Sequence, residues 1–542
     1  MHDGALPLAY VGGPTVADIT PCDLMTRLYA FADDSFLGRA VGTESNNRAT
    51  DYLAREARRL GLVPMGDSGG YFQRIPVFAR GFDTMSTVTA AGNVYHGGTD
   101  FLMETVGQLH DLHGVPAVYG GTAYDTLHPP PLDSVKGRFL LVIAAPPPTD
   151  PALLRSRGLQ TWLAIVRSAA AVGSIGPEEI PVPALRRAIT PAGVFSSSAG
   201  EAQLVFLVTP RMADAMLGRR VASAAIGQPG VAVSTSLREH QIPLPGRNVV
   251  AAIRGRDPAL RNEYVMLSAH SDFIAPTLPR DPDSVRAVDI ASRPQGAESG
   301  NTSPTDAGWR RIFALLDSLH RLHPRRADSI FNGADGSGSG SVSLLELAEA
   351  IAARPVPFRR SVLLVWSSGQ MAGDWGSRYF ADHPPVPLGS IVAQFDLDGI
   401  GRGSANDVTG TTVNGAPLHG GENYLQVIGA RRLSADLGNI IDRTDSDHAV
   451  TLDSAMDAHG HPLRMSCRGD RAMYEAHGIP AVWFTTGSHV DFHEITDEPE
   501  YIGYRHMALI DRFVLDVVRV VADRDQRPML NGPPRTTWTC NQ

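Results

Sequence analysis

Glu263-Tyr264-Val265-Met266-Leu267-Ser268-Ala269-His270-Ser271-Asp272 decides the fold of this chain. Its middle is short and almost wholly apolar. That is the pattern of a strand buried on both faces of a mostly parallel sheet, not of a half-exposed one. The run ends in a histidine with a carboxylate two places on, and strand ends are where such sheets carry their chemistry. Comparable runs occupy 248–253, 361–366, 390–397 and 481–485. Helical patterns fill 341–353 and 507–521. Strands alternating with helices predict an α/β fold, a mostly parallel mixed sheet sandwiched by helices.

Outward from this core, residues from Thr20 to Leu62 read as helices, and Gly61 is placed to stop the one over 49–60. A loop at 66–70 precedes a strand-like run at 71–77. From about residue 80 to about residue 240 short β-rich runs such as 135–144 and 203–208 alternate with Pro-rich loops, with a helix over 159–171. The expected organisation is 1–79 as the first part of an α/β domain, 80–240 as an inserted β-rich module, 241–528 as the main α/β part and 529–542 as a tail. A chain of 542 residues is too long for one core. The polar, Pro-rich stretch 274–329, with an amphipathic helix near 309–322, reads as a surface excursion bordering a site.

Composition removes several function classes. The net charge of −9 is mild and argues against nucleic acid as a partner. No apolar run reaches the ~18 residues of a membrane span. Cys22, Cys467 and Cys540 form no C-x-x-C pair, which argues against a cysteine-built zinc site. They allow one disulfide and a leftover thiol, and spacing does not choose the pair. The opening MHDGALPLAY lacks the basic start and apolar stretch of a secretory signal. Either the chain is cytoplasmic or an export signal precedes this sequence.

Five residues have the types and placements of a metal centre. His270 ends a buried strand, with Asp272 placed to orient its ring. Asp335 lies in the Gly-rich stretch Asn332-Gly333-Ala334-Asp335-Gly336-Ser337-Gly338-Ser339-Gly340 before a helix. Asp398 follows the strand at 390–397, and His493 lies beyond the strand at 481–485. Two histidines and carboxylates on separate strand ends are what a zinc site on an α/β sheet uses. Each also has a plainer reading. H-x-D arises by chance, and His493 suits an exposed surface. A Gly-rich loop before a helix can cradle a phosphate, although this one lacks a Gly-Lys-Ser/Thr ending. Asp398 can cap a turn at Gly399. Order and placement of the whole set carry the reading.

Those residues, with Leu397-Asp398-Gly399-Ile400-Gly401-Arg402, Gly478-Ile479-Pro480-Ala481, the helix from Ser341 and the stretch from His489 to His493, follow the order of one family's motifs. The chain resembles the zinc aminopeptidases that include bacterial leucyl aminopeptidases, glutamate carboxypeptidase II and the transferrin receptor. Residues 34–73 resemble that family's lead-in, and the insert resembles its protease-associated domain. The resemblance implies a zinc-exopeptidase-like fold and two zincs. One ion would take a histidine and an aspartate, the other a histidine and a glutamate, with a bridging aspartate between them. His270 and Asp398 match one part of the set, His493 matches the second histidine, and Asp272 matches the orienting carboxylate. Gly469-Asp470-Arg471 stands at a Ser-Asp-His-type motif near the substrate pocket, so Asp470, Arg471 and His489 become pocket candidates.

The stretch Trp366-Ser367-Ser368-Gly369-Gln370-Met371 departs from that pattern. The general-base position is Gln370 and the glutamate-ligand position is Met371. An amide has no useful basicity near neutral pH, and a thioether is a poor zinc partner. Counted back from the helix without gaps, the bridging aspartate falls on Gly336, with Asp335 one place early. What remains is at most one zinc site of reduced occupancy, formed by His270 and Asp398, with Asp335 joining if the glycines let the backbone shift. The leading expectation is a family member with a degraded di-zinc centre, inactive or strongly impaired, that acts by binding a peptide or protein. The alternatives are an active single-zinc aminopeptidase or related amide hydrolase, and an unrelated α/β binding protein. The family is often exported, which leaves the compartment open.

Overall fold

The computed structural model describes residues 6–104, 109–148, 153, 156–196, 203–293, 295–297, 304–322, 325–405, 407–445 and 450–532. The chain divides into two compact units, 1–75 with 245–542, and 76–244.

The first unit is built on a nine-stranded sheet. Its strands are β1 (Val63–Pro64), β2 (Phe72–Arg74), β3 (Arg247–Ile253), β4 (Tyr264–His270), β5 (Ser361–Ser367), β6 (Ile391–Leu397), β7 (Tyr424–Ile428), β8 (Thr451–Asp453) and β9 (Ala481–Thr485). They lie in the order β1-β3-β5-β4-β6-β9-β7-β8, with β2 also on β3. The central four, β5, β4, β6 and β9, are mutually parallel. Their carboxyl ends therefore open on one edge. Successive residues alternate between two apolar layers. Val265, Leu267 and Ala269 face one core, and Tyr264 and Met266 the other. Both faces are dry because helices cover both, which is why these strands lack a polar alternation. One layer is formed by α1 (Pro21–Phe31), α2 (Glu44–Arg59), Gly340–Ala352, Ala435–Asp445 and Tyr504–Asp523; the other by Trp375–Asp382 and Gly469–Ala476.

Gly340 shows how closely a helix meets the sheet. A Cβ there would lie 1.9 Å from the Leu397 carbonyl oxygen, so only glycine lets this helix start against β6.

The excursion at 274–329 holds two packed helices, α3 (Pro282–Ser292) and α4 (Asp306–Leu322). The second matches the expected amphipathic helix. The first was not expected from periodicity, although Asp281-Pro282 is a favourable helix start.

The second unit holds an eight-stranded sheet with a parallel centre at Val115–Thr122, Phe139–Ile143, Ala171–Ile175 and Leu204–Val208, and a three-stranded sheet. Phe101, Phe139 and Phe206 pack together in its core. The helix expected over 159–171 stops at Arg167, where the Ser168 hydroxyl turns back onto the Ile165 carbonyl, and Ala171 opens a strand. The unit is wider than the expected 80–240 because Val77–Phe82 pairs with Glu239–Leu244. Cys22 is a free, exposed thiol and Cys467 is disulfide-bonded. Cys540 lies outside the described residues. Among the described residues no helix is long and apolar enough to cross a membrane.

Candidate active-site cleft

The parallel strands deliver the candidate residues to one edge. β4 ends in His270, β6 leads into Asp398, and β5 leads through Ser368 to Gln370. His270 is buried, with Nδ1 3.5 Å from Asp272 Oδ1 and Nε2 3.4 Å from Asp398 Oδ1. Nε2 donates to the Gly336 carbonyl oxygen at 2.7 Å. Burial by itself would lower the imidazole's pKa. The carboxylates Asp398 and Asp272 outweigh it and hold the group well above its ordinary value.

The Gly-rich stretch is not an open loop. Ala334–Ser339 forms a π-helical turn leading into Gly340–Ala352, with Gly338 N on the Gly333 carbonyl oxygen at 2.9 Å. Two buried side chains hold it. Arg39 donates to the carbonyls of Asn332 (2.6 Å) and Gly333 (3.2 Å) and to Ser337 Oγ (2.9 Å). Burial lowers its guanidinium pKa to about 10. Asp497 accepts from the amides of Asp335 (2.8 Å) and Gly336 (2.9 Å); burial, reinforced by the Asp335 charge and opposed by His489 and these two hydrogen bonds, pushes it up to about 6. In this turn Asp335 points away from His270. Its Oδ1 accepts from Gly401 N at 2.5 Å and its Oδ2 lies 3.1 Å from His489 Nε2.

Gln370 and Met371, the residues expected at the general-base and glutamate-ligand positions, are also internally engaged. Gln370 Nε2 donates to Asp398 Oδ2 at 3.1 Å. Asp272 accepts the backbone amides of Gln370 (3.2 Å) and Met371 (3.3 Å). The Met371 side chain packs with Phe273, Phe331 and Ile495. Phe273 also meets the His493 ring edge-on at 5.7 Å, and His493 stacks on Phe492 at 3.8 Å. A Cβ added to Gly336 would lie 2.5 Å from Phe273 Cε2. The space for a side chain at the bridging position is thus taken by an aromatic ring.

These residues do not fit a two-zinc set. Among the described residues no three His, Cys, Asp or Glu donors converge within 4.8 Å at this cleft. Asp335 does not join His270 and Asp398, and Gly336 and Met371 bring no hard donor side chain. His493 lines the cleft wall, packed against Phe273 and Phe492.

The cleft itself encloses about 230 Å³. Its lining includes the polar side chains of Gln370, Asp374, Asp398 and Arg468 and the apolar ones of Met456, Met465, Trp483 and Phe492. Trp483 donates its indole N–H to the Asp398 carbonyl oxygen at 3.1 Å, which fixes the ring beside that residue. Asp374 is raised to about 7 by burial and then by Asp470. The pocket candidates Asp470, Arg471 and His489 are corrected here: all three are buried and none lines the cleft. Asp470 accepts from Ser377 Oγ at 2.7 Å and from Ser367 Oγ, so it braces the ends of β5 and Trp375–Asp382. Arg471 pairs with Glu475 and the Ser466 carbonyl. Sequence reasoning missed Phe273, Trp483 and the methionines, since apolar residues near strand ends read as ordinary core.

Residues 248–518 match the model of peptidase family M28. No curated protein sequence matches the chain. Among solved structures, the aminopeptidase from Aneurinibacillus sp. strain AM-1 is similar at 12% identity, covering 95% of this chain and 96% of that one, with a TM-score of 0.44. BSAP, a zinc aminopeptidase from Bacillus subtilis, is similar at 13% identity over 96% and 100% of the two chains, TM-score 0.46. Glutaminyl cyclase from Porphyromonas gingivalis is similar at 13% identity over 92% and 98%, TM-score 0.40.

Proposed function

The chain belongs to peptidase family M28, and from that premise we propose that it is a non-hydrolytic member that uses its cleft to bind a peptide or protein ligand. One observation carries the reading. Several groups that would hold metal and activate water are engaged by the protein itself: the Gln370 amide is on Asp398, the Gly336 carbonyl on His270 Nε2, and Phe273 packs with Met371 against the Gly336 position. A glutamine at the base position accepts no proton, and the loss of a general base typically removes about 10²–10⁴ in rate. A lone zinc on His270 and Asp398 lacks its third ligand, because Asp335 is committed to Gly401 and His489. The cleft's shape suits a ligand with an apolar side chain against Met456, Met465, Trp483 and Phe492 and a hydrogen-bond donor toward Asp398. The unit at 76–244 we read as protease-associated-like, a docking module rather than part of the chemistry.

The deciding measurement is release of amino-terminal residues from aminoacyl p-nitroanilides and dipeptides by the purified protein, with and without chelator. No turnover above the chelated control is expected. Robust, chelator-sensitive turnover overturns the reading.

A further inference from the structure

We infer that Asp281, Asp283 and His320 form a divalent-metal site that clasps α3 to α4, separate from the cleft. Asp281 is the residue preceding α3, Asp283 lies in its first turn, and His320 lies in the last turn of α4. His320 Nε2 is 3.2 Å from Asp281 Oδ2 and 3.9 Å from Asp283 Oδ2. One donor atom from each of the three lies within 4.8 Å of the others. None of the three lines the cleft.

The donor set distinguishes this cluster from a solvated acidic patch. It combines an imidazole nitrogen with two carboxylates, and His320 and Asp283 are largely covered. Asp281 Oδ2 accepts from Ser284 Oγ at 2.5 Å, while its Oδ1 is buried and has no hydrogen-bond partner. A buried carboxylate oxygen left without a partner is costly, and a cation is the partner that removes the cost. The neighbouring arginines are engaged elsewhere. Arg280 pairs with Glu494, Arg286 with Asp491, and Arg293 with Asp289 and Glu494.

One nitrogen and two carboxylate oxygens, with positions left for water, suit zinc or a borderline first-row neighbour; calcium and magnesium favour all-oxygen sets. The site's role is structural. α3 anchors the segment that carries Phe492 and His493, through Arg293 on the Val490 carbonyl (2.8 Å) and on Glu494 (2.6 Å), and through Arg286 on Asp491. Metal bound between α3 and α4 stiffens that wall of the cleft without entering it. It also changes how metal content is interpreted, because one equivalent of zinc then belongs to the helix pair and not to a surviving hydrolytic centre.

The test uses the full-length protein, stripped with chelator, dialysed, and titrated calorimetrically with zinc chloride. Wild type and His270→Asn are expected to bind one equivalent, and zinc to raise their thermal midpoints. His320→Asn and Asp281→Asn are expected to lose about 10–100-fold or more in affinity, with metal-free midpoints matching wild type. Asp283→Asn, read by the visible absorption of bound Co²⁺, covers the case in which losing His320 loosens the helices; its bands are expected to vanish. Undiminished zinc affinity in His320→Asn overturns the proposal, as does Co²⁺ absorption retained in Asp283→Asn. Zinc uptake lost in His270→Asn instead assigns the metal to the cleft. No zinc uptake at all leaves His320 simply hydrogen-bonded to Asp281, and also overturns it.

Discussion

Phe273 decides more about the cleft than any charged residue. Its ring lies where the first carbon of a side chain at Gly336 would be. Gly336→Asp by itself is therefore expected to overpack the site, costing about 1–3 kcal/mol in denaturant titration, and to bind no extra zinc. Adding Phe273→Ala, Gln370→Glu and Met371→Glu frees the space and supplies hard ligands, so metal analysis of the fourfold variant is expected to show zinc uptake above the parent. Equal zinc content in the two proteins means that these positions are misassigned. Gln370→Glu alone replaces an amide donor to Asp398 with a second carboxylate. Losing that charge-assisted bond is expected to cost about 1.5–3 kcal/mol at neutral pH. His270, Asp272, Asp398, Gln370 and Met371 were legible in the sequence because each sits just past a strongly apolar strand. The direction of Asp335 was not, since a glycine-rich backbone admits many paths and residues remote in sequence, Arg39 and Asp497, select one.

At the scale of elements, the buried strands announced themselves by unbroken apolar runs, whereas α3 did not, because its apolar residues are interleaved with charged ones that form ion pairs and it lies in a polar, Pro-rich stretch. One of those charges gives α3 a pH signature. Asp289 is buried and raised to about 7, by burial first, with Arg293 opposing and Glu494 and Asp491 reinforcing. The folded state therefore holds this proton more tightly than the unfolded chain does. Its contribution is fully present below the ordinary carboxyl pKa and is lost as pH rises through about 7. Asp289→Asn is expected to flatten the fall of the thermal midpoint over that window and to melt above wild type at pH 8. Arg39 tests the π-helical turn. Arg39→Met leaves the carbonyls of Phe31, Asn332 and Gly333 without this donor. A loss of about 3 kcal/mol or more is expected in chemical unfolding. A variant as stable as wild type would show that the turn holds without it.

For the whole molecule, two separate hydrophobic cores imply two folding units. Calorimetry is expected to resolve more than one transition, as chains with independent cores depart from two-state behaviour. Phe206→Ala, in the core of 76–244, should destabilise one transition by about 3–5 kcal/mol and leave the other in place. A shift of both would mean that the cores unfold together. The change of texture along the chain does not reveal that Val77–Phe82 pairs with Glu239–Leu244, because that pairing is a long-range event that composition does not record. The winding of Ala334–Ser339 has one more consequence. Gly338 bonds five residues back, so this turn houses one amino acid more than an α-helical lead-in would need. Excising Gly338 while the helix after it stays fixed would slide Asp335 into the place of Gly336, and with Phe273 pared back a bridging carboxylate would be restored by the loss of a single codon.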